Sequence, residues 1–187
     1  MRDKIFLGLV HYPVYNKNHE VVATSVTNFD IHDISRSCRT YDINKYYIIT
    51  PVSSQIELTS KIMGYWQIGD GISHNKDRNV AFENTKIAKS IEDALEDIKK
   101  ITTIAPKIIT TSARIFPNSI SYKDMSALIK TIDYPILLLF GTGFGLTDEV
   151  MDSSYKILEP IRGKTKYNHL SVRSAVSIIL DRLLGEE

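Results

Sequence analysis

The chain has 187 residues, 43% hydrophobic and 24% charged, with a formal net charge of +1. That is the profile of one ordinary globular domain, 1–187, long enough to bury a core, and any nucleic-acid contact must come from a local basic patch. A lone cysteine, Cys38, excludes an internal disulfide and a structural zinc cluster, and the scattered histidines show no metal spacing. The opening residues lack the apolar core of a signal peptide and no run reaches membrane-spanning length, so a cytoplasmic protein is expected.

The elements follow in chain order. Ile5 to Val10 is a first strand, ending at His11-Tyr12-Pro13. Tyr15 to Glu20 is turn-like, and Val21 to Val26 continues as strand or extended loop. Asp30 to Tyr41 fits a helix, with Ile31, Ile34, Cys38 and Tyr41 near helical spacing, and burial is the expected role of Cys38. Tyr46 to Thr50 is a strand halted by Pro51. Ser54-Gln55-Ile56-Glu57 has the pattern of a capping box opening a helix through about Trp66. Gly69 to Asn79 is the most loop-like stretch, a candidate lid.

A short strand ends near Ala88. Ser90 starts a helix with Ile91, Leu95, Ile98 and Ile101 facing inward. Lys107 to Thr111 is a strand and Tyr122 to Lys130 a helix. Ile136 to Phe140 is wholly apolar and reads as a buried parallel strand. A short helix, the stretch Ile157 to Gly163, and a final helix from about Ser171 to Leu184 complete the chain, with Gly185 as the stop. The alternation predicts an α/β fold, a mostly parallel sheet with helices on both faces.

The most informative stretch is Gly141-Thr142-Gly143-Phe144-Gly145-Leu146, between the apolar strand and the helix opening at Thr147-Asp148-Glu149. A glycine turn in that position lets backbone approach a ligand closely. A polyphosphate is disfavoured, because Asp148 and Glu149 already complement the helix dipole and would repel it. A dinucleotide fingerprint needs a different glycine spacing and a later acidic strand. A neutral or cationic nucleoside held by backbone groups conflicts with nothing, and a plain tight turn is the bland alternative.

Two more segments follow: Pro160-Ile161-Arg162-Gly163, then Asn168-His169-Leu170-Ser171-Val172-Arg173-Ser174-Ala175 opening the last helix. With the glycine turn, they resemble in order the three loop motifs of the SPOUT, or alpha/beta-knot, RNA methyltransferases. Asn28 to Arg36 and Thr111-Ser112-Ala113-Arg114 resemble a bacterial subfamily, some of whose members are fused to a tRNA guanine-N1 methyltransferase. The resemblance implies a C-terminal trefoil knot, a homodimer, and a bent S-adenosylmethionine among the knot loops. Carried over, Thr111 and Ser112 edge the cofactor. Gly141, Thr142, Gly143 and Leu146 meet its ribose and methionine. Ile161, Gly163, Asn168, Leu170, Ser171 and Ala175 surround its adenine.

Arg36 matches the position of an arginine that approaches the acceptor ribose in 2'-O-methylating members, although the Asn-x-Gly element before it is missing. Asp33 is a base toward a nucleobase nitrogen or the ion-pair partner of Arg36 at i, i+3. Arg39, Arg114 and Arg173 are the leading RNA contacts, with Lys76, Arg78, Lys164 and Lys166 as weaker ones. Tyr65 and Trp66 stand beside the loop from Gly69, for stacking, core packing or a dimer contact. The expected function is S-adenosylmethionine-dependent methylation of RNA, either tRNA or rRNA, without a metal. The rivals are a knotted protein that binds cofactor or RNA without turnover, and a doubly wound nucleotide-binding regulator.

Overall fold

The computed structural model describes residues 4–68 and 76–186. Seven strands form one sheet in which every pair is parallel. They are β1 (Ile5–Val10), β4 (Lys45–Ile49), β5 (Thr85–Ala88), β6 (Lys107–Thr111), β7 (Ser119–Ile120), β8 (Ile136–Gly141) and β9 (Lys156–Leu158), in the order β5-β4-β1-β8-β6-β9-β7. A two-stranded antiparallel pair, β2 (Val14–Tyr15) and β3 (Val21–Val22), lies outside it. The stretch Val21 to Val26, expected as strand or extended loop, is both: a two-residue strand followed by extended loop.

The helices are α1 (Asn28–Thr40), α2 (Ser53–Gln67), α3 (Lys76–Phe82), α4 (Ile91–Thr102), α5 (Tyr122–Thr131), α6 (Asp148–Asp152) and α7 (Val172–Leu184). No helix among the described residues is long and apolar enough to cross a membrane. The central strands are apolar on both sides because both faces are covered. Ile5, Leu7 and Leu9 of β1 pack with residues of α1, α2, α3, α5 and α7. Phe6 and Val10 pack with α4 and α6 instead. Cys38 is buried in the first of these layers, and burial pushes its thiol far above the usual range.

Topology puts the functional end of the sheet in one place. From β1 the chain moves outward through β4 and β5, crosses to β6, and only later inserts β8 between β1 and β6. The order thus reverses beside β1, and such a switch point opens a crevice at the carboxyl ends of the strands. Here those ends are Val10, Thr111 and Gly141. After β8 the chain steps over β6 to form β9, then returns as α7 against α1, α5 and β8.

Local chemistry sets the helix starts, with two corrections. Thr27 caps α1: its hydroxyl accepts from the Asp30 amide at 3.2 Å, and the Asp30 carboxylate accepts from the Thr27 amide at 3.1 Å. Ser90, Ser121 and Ser171 cap α4, α5 and α7. The box expected at Ser54 does not form. The N-terminal boundary of α2 falls two residues earlier, at Val52, without a side-chain cap, so Ser54 lies inside the first turn, and Gln55 accepts from the Val26 amide at 2.8 Å. Ile101 is 45% exposed, since the inward stripe of α4 runs through Ile91, Ala94 and Ile98 and ends there.

Replacing Thr27 removes one half of a working box, whereas Ser54 caps nothing. Thr27→Ala is expected to lower the unfolding free energy by about 1 kcal/mol, and Ser54→Ala to change it by less than about 0.5 kcal/mol. Urea denaturation of the two variants checks the difference.

Candidate functional site

The glycine turn at the end of β8 is held from several directions. The Gly145 amide donates to the Thr142 carbonyl at 3.0 Å, closing the turn. The Thr142 hydroxyl donates to the Val10 carbonyl at 2.9 Å, which ties the turn to the end of β1. Tyr15 grips the far side: its amide donates to the Gly145 carbonyl and its carbonyl accepts from the Phe144 amide, both at 2.9 Å. The Thr24 hydroxyl bonds that of Thr142 and lies 3.1 Å from the His11 Nδ1.

These bonds explain the glycines differently from the sequence. Gly143 has φ +57°, and a β-carbon there would stand 2.9 Å from the Tyr15 carbonyl oxygen and 3.2 Å from the Thr24 methyl group. Gly143 is demanded by the strap of residues 11–24, not by space for a ligand. Gly145, at φ +105°, is the one that faces open volume: a β-carbon there meets nothing within 4 Å.

A cleft of about 770 Å3 opens between this turn, the loop after β6, the loop leading into α7, and residues 24–27. Its volume is within the range of small-molecule sites. Of the cofactor candidates, Gly141, Thr142 and Gly143 line it from the turn, and Thr111 and Ser112 from β6. Ile161, Asn168, Leu170, Ser171 and Ala175 line it from the C-terminal side. Asn168 donates through Nδ2 to the Ala113 carbonyl at 2.9 Å, stitching two of the loops together. Phe144 and Leu170 leave apolar surface at the rim, 66% and 47% exposed.

Two candidates stand apart. Leu146 is buried under the turn, with its backbone bridged to Val14. Gly163 is exposed and does not line the cleft. Thr24, Ser25, Thr27 and Asp30, none of them a sequence-based candidate, also line it, as do Phe144 and Gly145 of the turn itself. The Thr27-x-x-Asp30 spacing was the available signal, a capping box on the wall of the site.

The charged candidates separate from one another. Arg173 binds two carboxylates of α1: its Nη1 donates to the Asp33 Oδ2 at 2.9 Å, and its Nε lies 3.8 Å from the Asp30 Oδ1. Its guanidinium also sits 5.0 Å from the centre of the Phe29 ring. Asp33 thus pairs with Arg173, not with Arg36. Asp30 is buried, and its Oδ2 accepts from the Thr27 hydroxyl at 2.6 Å. Arg114 lines the cleft beside the Phe116 ring. Arg39 stands 3.8 Å from Glu83 on the surface. Arg36 is exposed and, with Asp33, lines a separate groove.

Lys164 and Lys166 are exposed in the loop before α7. Arg78 stacks on Trp66 at 4.5 Å. The candidate lid falls mostly outside the described residues, as does the Lys76 side chain; residues 76–79 open α3.

Burial, only partly offset by Asp30, lowers the His11 pKa from its ordinary 6.5 to about 4, so the ring is neutral at pH 7. A neutral ring suits its hydrogen bond with the Thr24 hydroxyl.

Known proteins resemble this chain over nearly its whole length. Residues 4–185 match a family described as SAM-dependent RNA methyltransferase. A protein of Aquifex aeolicus (strain VF5) is 38% identical over 185 residues, covering 99% of this chain and 90% of that protein. A tRNA (guanine-N(1)-)-methyltransferase of Oleidesulfovibrio alaskensis is 41% identical over 182 residues, 97% of this chain; the chain spans 42% of that protein's length. The solved A. aeolicus TrmH/SpoU tRNA modifying enzyme superposes with a TM-score of 0.56 at 14% identity, covering 98% of this chain and 75% of the other. This last likeness is one of fold, and it is the SPOUT fold that the loop motifs resemble.

The turn yields two predictions. Gly143→Ala is expected to cost about 2 kcal/mol of stability, from left-handed strain and the clash with Tyr15, while Gly163→Ala, with open space around it, costs less than about 0.5 kcal/mol. Chemical denaturation of both checks this. The second concerns pH. Folded His11 binds its proton less readily than unfolded His11, so its contribution to stability is complete above about pH 6.5 and falls on acidification toward about pH 4. The loss approaches about 3 kcal/mol. His11→Asn is expected to flatten that part of the stability–pH curve.

Proposed function

The chain belongs to the family of S-adenosylmethionine-dependent RNA methyltransferases, and we propose that the cleft between the glycine turn and the loop before α7 is where it holds that cofactor. The observation that carries this reading is the turn itself. Two of its glycines adopt positive φ, and Gly145 opens onto a cleft lined by backbone, Thr111, Thr142 and Ser171 hydroxyls, and the apolar Leu170 and Ala175. Such a lining suits a nucleoside with a thioether or sulfonium tail. It does not suit a polyphosphate, because Asp148 and Glu149 start the adjoining helix. Among the described residues lining the cleft, Asp30 is the one carboxylate and Arg114 the one guanidinium, a balance that fits a zwitterionic methionine end.

When bound, the cofactor supplies a methyl group on sulfur that is transferred by in-line displacement. The protein's share is positioning and the handling of one proton. In this reading Thr142 and Gly143 fix the tail, held in turn by Val10, Tyr15 and Thr24. Leu170 and Phe144 exclude water from the mouth. Asp30, held at Oδ2 by Thr27 and facing Arg173 across 3.8 Å, shapes the wall. Asp33 is a positioning residue acting through Arg173. Arg36 serves the RNA acceptor and not the cofactor. Completion of the site by a second copy, the threading of α7 as a trefoil knot, and tRNA or rRNA as substrate follow from the SPOUT resemblance and belong to the same proposal.

The test uses S-adenosylhomocysteine calorimetry and transfer of labelled methyl groups to RNA from cells lacking the protein. Ala175→Leu, which adds bulk at the cleft wall, is expected to weaken S-adenosylhomocysteine at least tenfold, about 1.4 kcal/mol, with an unchanged urea midpoint. Unaltered affinity in that variant would place the cofactor elsewhere.

A further inference from the structure

A second groove, of about 500 Å3, lies between α1, α2 and α3, lined by Asp33 and Arg36 but not by Asp30. Arg36, Lys61 and Arg78 bring three cations to it, and Phe29, His32, Tyr65 and Trp66 bring four rings. Among the described residues, Asp33, which lines the groove, pairs with Arg173 at 2.9 Å, and Glu57 pairs with Lys61 at 2.7 Å. Phe29 is 64% exposed at the lip.

The Trp66 ring is ordered by its neighbours. The Arg78 guanidinium lies 4.5 Å from its centre, and His32 meets it edge-on at 5.7 Å. The His32 Nδ1 is buried without a hydrogen-bond partner among the described residues. Among the described residues lining this groove, Ile62 is the only aliphatic one. A groove that receives a protein helix is lined by aliphatic side chains; rings interleaved with cations are the lining that stacks bases and neutralises phosphates.

We propose that this groove is a second RNA-binding site, which holds a nucleotide of a single-stranded segment of the substrate apart from the cofactor cleft. Arg36 and Lys61 take the phosphate, and the base stacks against Phe29 at the lip. The groove shares α1 with the cleft, since Thr27 and Asp30 line one and Phe29, Asp33 and Arg36 line the other. RNA bound here would lie across α1 from the cleft proposed above. The inference rests on the family's RNA substrate but not on the assignment of the cleft.

Trp66 is the only tryptophan in the chain, so its emission reports on this groove. The experiment titrates the protein with a single-stranded oligouridine decamer and follows Trp66 fluorescence and, on a labelled decamer, anisotropy. Saturable quenching is expected, weakening as salt rises. Phe29→Ala and the double variant Arg36→Ala/Lys61→Ala should each weaken binding on the order of tenfold. The double variant should also reduce the salt slope by about 0.7 for each phosphate that is no longer neutralised. S-adenosylhomocysteine affinity should be unchanged in all of them, which separates a disabled groove from a misfolded chain. RNA binding seen by anisotropy without any change in Trp66 emission overturns the proposal. So does wild-type affinity in the double variant, or an emission change that follows protein concentration instead of RNA, which would mean a second copy covers the groove. If the decamer quenches while wild-type protein ignores S-adenosylhomocysteine, the cleft assignment fails and this one stands.

Discussion

The structure depends on how the glycine turn after β8 is pinned to the strap that follows β1. Thr142 reaches back to the Val10 carbonyl, Tyr15 exchanges backbone hydrogen bonds with Phe144 and Gly145, and Thr24 closes the triangle through its hydroxyl. Each bond is modest in water, but every group involved would be unfavourable to leave unpaired inside the fold. Together they fix a left-handed backbone at Gly143 and leave Gly145 facing the cleft. Glycine reaches a positive φ without strain, so the conformation of this turn is set by the contacts that hold it. Here those contacts come from a segment more than a hundred residues earlier in the chain.

A second long-range tie closes the opposite wall. Arg173, in the first turn of α7, holds Asp30 and Asp33 in the first turns of α1. The last helix is thereby registered against the first, and the loop before it is drawn over the cleft. Asn168 completes the closure by bonding the Ala113 carbonyl. Three loops from distant parts of the chain thus become one lining, while α1 offers its other side to a separate cationic and aromatic groove. The division matters for chemistry: the cleft is suited to a small zwitterionic nucleoside, and the groove to a polyanion.

The sheet was legible in the sequence because its strands are buried on both faces and read as short, near-continuous apolar runs. β8 is the clearest of these, and its neighbours follow from the alternation with helices. The cleft was legible because its three loops keep their order and spacing, and ten of the twelve cofactor candidates line it. What the sequence hid was pairing at a distance. Nothing in the run around Asp33 indicates that its partner is Arg173, 140 positions away, in preference to Arg36 one helical turn along. The role of Gly143 was hidden for the same reason, since the atoms that exclude a side chain there belong to Tyr15 and Thr24. The failed cap at Ser54 is a different lesson. A hydroxyl and a carboxylate at the right spacing cap a helix only if the helix starts there, and α2 starts from Val52, two residues too early. Ile101 shows that a regular apolar stripe can outrun the sheet it packs against.

The most direct measurement is an experimental structure of the chain crystallised with S-adenosylhomocysteine. Adenosyl density between the turn at 141–145 and the loop at 168–171, with the ligand folded back on itself, is the expected result. Density elsewhere, or a ligand extended along the edge of β4 and β5 with the 141–145 turn untouched, contradicts the assignment of the cleft.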